Sequence, residues 1–401
     1  MTRAVYEIVV VGAGIVGAAC AHEFARRGLH VAVVDRDVVG SGASAAGMGH
    51  IVVMDDSEAQ FALTRYSQRL WQELKPELPE TVEYEQCGTI WVAADTEEMD
   101  VVSGKSDYYA RRGVATEVID ARRLKQLEPN LRDGLAGGLL VPEDAVLYPP
   151  CAALFFMKRA QDLGATLRLG VSAVQIAQGR VLLSDGTEIS GKIIVNAIGS
   201  KARELTPGID VKPRKGHLVI TDRYPGFVRH QLVELGYLKS AHSSGGDSVA
   251  FNVQPRKTGQ ILIGSSRQYG AEHKEVDPTI LARMLGRAGE YMPGLGSLWA
   301  IRTWTGFRAA TPDKLPMIGP WPRDKSVFLA TGHEGLGITT SLGTARILAD
   351  DELHGDATNA VVVPVISATK TVAHMGAPQI IVLSNEPASG STTSFADDQM
   401  I

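Results

Sequence analysis

The sequence predicts a two-domain α/β protein in which a parallel sheet of dinucleotide-binding type is interleaved with a second domain built on an antiparallel sheet. Three observations predict it. A strand, helix, strand unit with a glycine-rich turn opens the chain at residues 6–35, and buried aliphatic strands of the same kind return near residues 193–197 and 327–331. Between roughly Arg214 and Trp321, apolar and polar residues alternate as antiparallel strands require. The 401 residues also exceed what a single hydrophobic core usually fills.

Residues 6–11 read as a short buried strand, and the turn from Gly12 to Gly14 leads into a helical pattern that runs to about Arg27 and stops at Gly28. Residues 29–34 form the next strand, closing on Asp35. Residues 39–49 are almost entirely glycine, alanine and serine, so the backbone there can approach a ligand closely. An amphipathic helix is expected over 58–78, followed to about Tyr148 by strands alternating with charged helical stretches. A helix over 151–163, a strand at 166–169, a hairpin through Asp185 and Gly186 and the strand 193–197 come next. Strands at 217–221, 248–253 and 260–265 and a helix over 278–291 would build the antiparallel region. The strand 327–331 and a helix over 338–348 complete the pattern. The expected division is 1–57, 149–210 and 322–355 for the nucleotide-binding domain and 58–148 and 211–321 for the substrate-binding domain. Residues 356–401 form an extension with strand-like runs at 360–367 and 380–383 and a polar end that reads as disordered.

Composition narrows the function classes. An apolar fraction of 44% with 21% charged residues is that of a folded globular protein, and a net charge of −5 excludes the basic footprint of a nucleic-acid binder. Cys20, Cys87 and Cys151 are widely spaced and form no CxxC pair, which argues against a zinc site, an iron–sulfur cluster or a disulfide framework and for a reducing cytoplasm. Arg3 and the apolar run 8–21 superficially resemble a signal peptide, but Glu7 and the glycine spacing point elsewhere. No stretch reaches the roughly 18–20 apolar residues of a membrane span. A cytoplasmic protein, at most peripheral to the inner membrane, is expected.

The motif GAGIVG supplies Gly12, Gly14 and Gly17, with Ala13, Ile15 and Val16 between them. The first glycine permits the turn, the second lets a pyrophosphate near the backbone, and the third lets the helix meet the sheet. Asp35 follows about 20 residues later, where a carboxylate accepts hydrogen bonds from an adenosine ribose. A chance glycine turn would not arrive with strand, helix, strand and terminal acid in order, so a Rossmann-like dinucleotide site is expected. The motif leaves open whether the dinucleotide is NAD or FAD.

Four further segments occur in fixed order: GSGASAAGMGHI at 40–51, VNAIG at 195–199, WTGFRAATPDKLPMIG at 304–319 and GHEGLGITTSLGTA at 332–345. On these the chain, over residues 5 to about 355, resembles the D-amino-acid oxidase superfamily. The branch it resembles contains glycine oxidase, the hydrogen cyanide synthase flavin subunit and the D-hydroxyproline and opine dehydrogenase flavin subunits. The resemblance implies a two-domain flavoprotein with FAD extended across the fold. Gly12, Gly14 and Gly17 would hold the diphosphate, Asp35 and Arg36 the adenosine end, Ala43, Ser44 and Met48 the middle and the flavin, and Val174 the adenine side. Gly199 would lie near adenosine and diphosphate, and Gly332, Leu336, Gly337, Ile338 and Thr339 would line the isoalloxazine, with the N-terminus of the helix starting near Ile338 stabilising negative charge on the reduced ring. Ser44 stands where histidine-tethering relatives keep their histidine, and no cysteine lies near residues 304–308, so noncovalent FAD is implied.

Arg308 in WTGFR matches the carboxylate-binding arginine of the resembled family, since guanidinium grips a carboxylate with two parallel hydrogen bonds; the alternative is a surface or interdomain arginine. His333 would sit beside the flavin, shaping the pocket, tuning the ring or serving only the fold. Asn252 and Arg267 stand where glycine oxidase has tyrosine and methionine. A second cation favours a substrate with an extra carboxylate or polar arm, unless Arg267 faces solvent. The implied function is FAD-dependent oxidation of a small amino or imino acid (proline or hydroxyproline, glycine or opine type), without an obligatory side-chain base. The implied setting is the flavin subunit of a complex with small iron–sulfur and second flavin subunits. A peroxide-producing oxidase and a noncatalytic flavin-binding subunit are the alternatives.

Overall fold

The computed structural model describes residues 5–236 and 246–354; the strand-like runs expected at 360–367 and 380–383 lie outside them. Val5–Val11 (β1) and Val31–Asp35 (β2) are parallel neighbours, and Ile8, Val9, Val10, Val31 and Val33 have no exposed surface. Burial on both faces is why these strands read as continuous branched apolar runs. Ile15–Arg26 (α1) joins them, its small residues Ala18, Ala19 and Ala21 allowing close contact with the sheet. The short helix Ala43–Ala46 (α2) follows in the small-residue segment.

Around β1 and β2 an eight-stranded sheet is built. Its path runs from Met317–Trp321 (β17) through Asp324–Thr331 (β18), Glu188–Asn196 (β11), β1 and β2 to Thr166–Leu169 (β8), and the hairpin of Ala173–Ala177 (β9) and Arg180–Leu183 (β10) hangs on β11. A second eight-stranded sheet runs Ala300–Ala310 (β16), Lys212–Thr221 (β12), Ile261–Arg267 (β15), Ser248–Pro255 (β14), Gln231–Glu234 (β13), Thr89–Ala93 (β4), Gly137–Val141 (β6) and Glu117–Asp120 (β5). All its neighbours are antiparallel except β13 and β4, which are parallel. His50–Ile51 (β3) pairs with Ala145–Val146 (β7) in a small two-stranded ribbon.

The helix expected over 58–78 runs Glu58–Leu74 (α3) and then tightens into a 3₁₀ turn at Lys75–Glu77, where Pro76 has no N–H to continue the α ladder. Ser57 caps its start by accepting from Gln60 N. Trp71 of α3 donates to Thr339 O and stacks edge-on against Phe156 of Pro149–Asp162 (α4), so this helix contributes to the core under the parallel sheet. Pro278–Tyr291 (α5) covers the antiparallel sheet, with Tyr291 stacked on Phe251. The chain's last described helix, Gly337–His354 (α6), returns beside α1. No helix among the described residues is long and apolar enough to cross a membrane.

Candidate active site

A cleft of about 440 Å³ separates the C-terminal ends of β1, β2 and β11 from one face of the antiparallel sheet. At its nucleotide end, Gly12 takes φ +110° and Gly17 presses against it. Gly14 precedes α1 without a capping side chain of its own. Ser44 Oγ reaches across to accept from Ile15 N at 2.9 Å, while Asp35 Oδ2 accepts from Ala13 N at 2.6 Å and Oδ1 from Asp37 N at 2.8 Å. The Asp35 carboxylate thus orders the glycine turn as well as facing the cleft.

Gly12, Gly14, Ile15, Val16, Asp35, Arg36, Ala43, Ser44, Met48, Gly199, Leu336, Gly337 and Ile338 line this cleft, and the structure brings them together from four separated stretches of chain. Other expected residues stand behind it. Ala13 and Gly17 shape the turn, and Thr339 donates to His50 O at 2.8 Å and accepts from Val52 N at 3.3 Å. Gly332, at φ +78°, packs against Thr311 and Met317. Val174 is 51% exposed on the outer hairpin, and its neighbours Ser172 and Ala173 are the ones that reach the cleft.

Arg308, Arg267, Asn252 and His333 all line the opposite end. Arg308 on β16 stands directly opposite Arg214 on β12, an unfavourable juxtaposition of like charges unless compensated. Glu334 compensates it: its carboxylate pairs with Arg214, and it is held by Thr311 N, which donates to Oε1 at 3.1 Å. Arg308 donates from Nη1 to Ser266 O at 2.9 Å, in space left by Gly216, where a Cβ would lie 2.5 Å from that nitrogen. Sequence reasoning missed both Arg214 and Glu334. Glu334 lies inside the GHEG segment, but only the register of β12 on β16 shows that its carboxylate has a cation to neutralise.

Three histidines at the cleft are neutral. Burial lowers His50 and His333 to about 4, and the His333 Nε2 is held 2.9 Å from Thr344 Oγ1. His217 Nε2 accepts from Asp277 N at 3.0 Å, which leaves the proton on Nδ1, 3.0 Å from Ser266 Oγ; burial lowers this group as well. The cations and not the imidazoles therefore set the electrostatics of this end.

Asp144, fully buried, runs the other way: desolvation raises its carboxyl to about 7 despite hydrogen bonds from Val53 N and Gln68. Its folded value lies above that of an exposed aspartate, so the stability it contributes is present in acid and lost as pH rises through about 7. For His50 and His333 the folded values lie below the ordinary 6.5, so their contribution is present above 6.5 and lost as pH falls toward about 4. Thermal unfolding followed between pH 8 and 4 should show Tm rising on first acidification and then falling. Asp144→Asn should flatten the first limb, and an unchanged first limb would refute a raised Asp144.

Fold and site together define a mixed α/β protein of dinucleotide-binding type whose cleft is lined at one end by arginines. The family model DAO, FAD dependent oxidoreductase, matches residues 7–351, and the chain belongs to that family. It is 27% identical to glycine oxidase of Geobacillus kaustophilus over 360 residues, covering 86% of this chain and 92% of that protein. It is 28% identical to hydrogen cyanide synthase subunit HcnC of Pseudomonas aeruginosa over 415 residues, covering 90% and 96%. Among solved structures, glycine oxidase from Geobacillus kaustophilus superposes with a TM-score of 0.80 at 25% identity, covering 92% of this chain and 100% of that one. L-proline dehydrogenase from P. horikoshii, at 24% identity, shares the fold with a TM-score of 0.79 over 89% of this chain and 95% of that one.

The cofactor is FAD, and the cleft suits it. Gly12 and Gly14 line it at the N-terminus of α1, which has no acid in its first turn, and its lining includes both Asp35 and His333.

Proposed function

We propose that the chain oxidises a small amino or imino acid at the carbon next to nitrogen, with Arg308 as the carboxylate anchor. The observation that carries this reading is Arg308 in the cleft wall, set by strand register opposite an Arg214 whose charge Glu334 neutralises. Gly12 and Gly14 would face the FAD diphosphate, Asp35 and Arg36 the adenosine, and the segment from Leu336 to Ile338 the flavin. The parallel-sheet domain (1–57, 149–210, 322–355) would hold FAD and the antiparallel one (58–148, 211–321) the substrate. Noncovalent attachment is supported by Ser44, which offers no tethering nitrogen or sulfur, and by a cleft lining that includes no cysteine.

FAD supplies a two-electron acceptor for hydride. Arg308 fixes the substrate carboxylate while the neutral amine's lone pair forms the C=N bond as the α-hydrogen leaves with its electron pair. Water then adds to the iminium carbon; an acyclic substrate gives a keto acid and ammonia or an amine. His333, neutral and tied to Thr344, would shape the pocket without taking a proton.

The HcnC relative is named as a subunit, which supports a place for this chain in a complex; in the dehydrogenase version, iron–sulfur and second flavin subunits would take the electrons onward. The glycine oxidase relatives support instead an enzyme that reduces oxygen unaided. Anaerobic titration of the holoenzyme with glycine, sarcosine, D-proline, hydroxyproline and opines should bleach the flavin with at least one of them. Admitting air then separates the two versions, since rapid reoxidation defeats the dehydrogenase form. Failure of every amino and imino acid to bleach the flavin would overturn the reading in favour of a noncatalytic flavin-binding subunit.

A further inference from the structure

The cleft has a second polar wall away from its arginines. Trp91 on β4, Val233 on β13 and Asn252 on β14 are directly opposite one another in adjacent strands, so their side chains share one face of the sheet. Gln231 precedes Val233 by two residues and shares that face, and Gln60, in the first turn of α3, closes the wall from the side. All four polar residues are deeply buried: Gln60 is 5% exposed, Trp91 3%, Gln231 3% and Asn252 7%. Each leaves one polar atom without a hydrogen-bond partner among the described residues: Gln60 Oε1, Trp91 Nε1, Gln231 Oε1 and Asn252 Oδ1. Buried polar atoms are rarely left unsatisfied, and four lining one cleft point to a ligand that serves them.

The chemistry of two of these atoms is fixed. An indole N–H can only donate, so Trp91 presents a donor. For Gln231 the orientation follows from its neighbours. Gln231 Nε2 donates to the Thr89 hydroxyl oxygen at 3.0 Å. The amide is thereby turned with Oε1 as the acceptor that remains for the cleft. None of the four residues carries charge, and a carboxylate would face Gln231 Oε1 oxygen to oxygen.

We propose that Gln60, Trp91, Gln231 and Asn252 form a neutral polar subsite that takes a hydroxyl- or carboxamide-bearing arm of the amino acid held at Arg308. This rests on the amino-acid-oxidising reading above and narrows it, since glycine has no such arm and an opine carries a second carboxylate. An arm that both donates and accepts satisfies Gln231 Oε1 and Trp91 Nε1 together, whereas an apolar arm strands both. Thr89 is a positioning residue, acting through the Gln231 amide.

The test uses the full-length holoenzyme at pH 8 and the second-order rate constant for anaerobic flavin bleaching. Both enantiomers of serine are compared with 2-aminobutyrate, and of asparagine with aspartate. Serine and asparagine should each be favoured by at least about tenfold in one enantiomeric series. Gln231→Leu should bring the serine to 2-aminobutyrate ratio to within about twofold of unity, Thr89→Val should lower that ratio, and Thr89→Ser should restore it. Unaltered Tm and flavin content show that the variants are folded. Equal rates within each pair, a preference for aspartate, or a ratio untouched by Gln231→Leu would overturn the subsite while leaving amino-acid oxidation standing. Failure of all these compounds, together with glycine, sarcosine and proline, to bleach the flavin would overturn the oxidation reading and the subsite with it.

Discussion

Arg308→Ala is expected to lower kcat/KM for the substrate that bleaches the flavin by about 10²- to 10³-fold, the equivalent of roughly 3–4 kcal/mol. The size follows from the setting. The guanidinium lines the cleft, Gly216 makes room for it, and its contact with Ser266 O holds it in place. Arg214 is poorly placed to substitute, because its charge is committed to Glu334. Arg308→Lys should recover only part of the loss, since an ammonium cannot offer the two parallel donors that fix both carboxylate oxygens. Flavin content should be unchanged in both variants, separating substrate binding from cofactor binding. Steady-state and reductive half-reaction rates measure the effect, and wild-type kcat/KM in Arg308→Ala would remove the anchor.

The second large effect concerns the glycine turn, where two substitutions of the same size should fail differently. At Gly17 a Cβ would lie 1.9 Å from Gly12 O, a backbone atom that cannot move aside without displacing Ala197 and β11. Gly17→Val should therefore not yield folded protein. At Gly14, φ is −66° and a Cβ would meet only Ser44 Oγ at 3.3 Å, so Gly14→Val should fold. Its side chain, however, would fill the approach to the α1 N-terminus. It should weaken FAD by at least about 100-fold, roughly 3 kcal/mol, and purify colourless. Far-UV circular dichroism against bound-flavin absorbance checks the pair. A yellow, stoichiometric Gly14→Val would show that the diphosphate does not pass this turn.

Much of the architecture was legible because it is written in local periodicity. Residues 8–11 of β1, 31–34 of β2 and 193–195 of β11 form aliphatic runs in the buried part of the sheet, and the helices at 149–162 and 278–291 carry an apolar stripe and proline in the first turn. The glycine turn was legible for a similar reason: φ +110° at Gly12 and the close approach at Gly17 admit almost no other residue. Val174 stands 51% exposed on its hairpin strand while Ala173 lines the cleft, a placement set by strand alternation.

What the chain determined by itself is therefore the glycine turn, the order of the elements and the presence of an arginine at 308, because each depends on residues near one another in sequence. Tertiary structure alone decided that Arg214 faces Arg308, that Glu334 neutralises it, and that Thr89 holds the Gln231 amide nitrogen and leaves its oxygen to the cleft. Those relations arise from strand register between segments about a hundred residues apart, and a charge or an amide has no fixed role until the register states what lies opposite it.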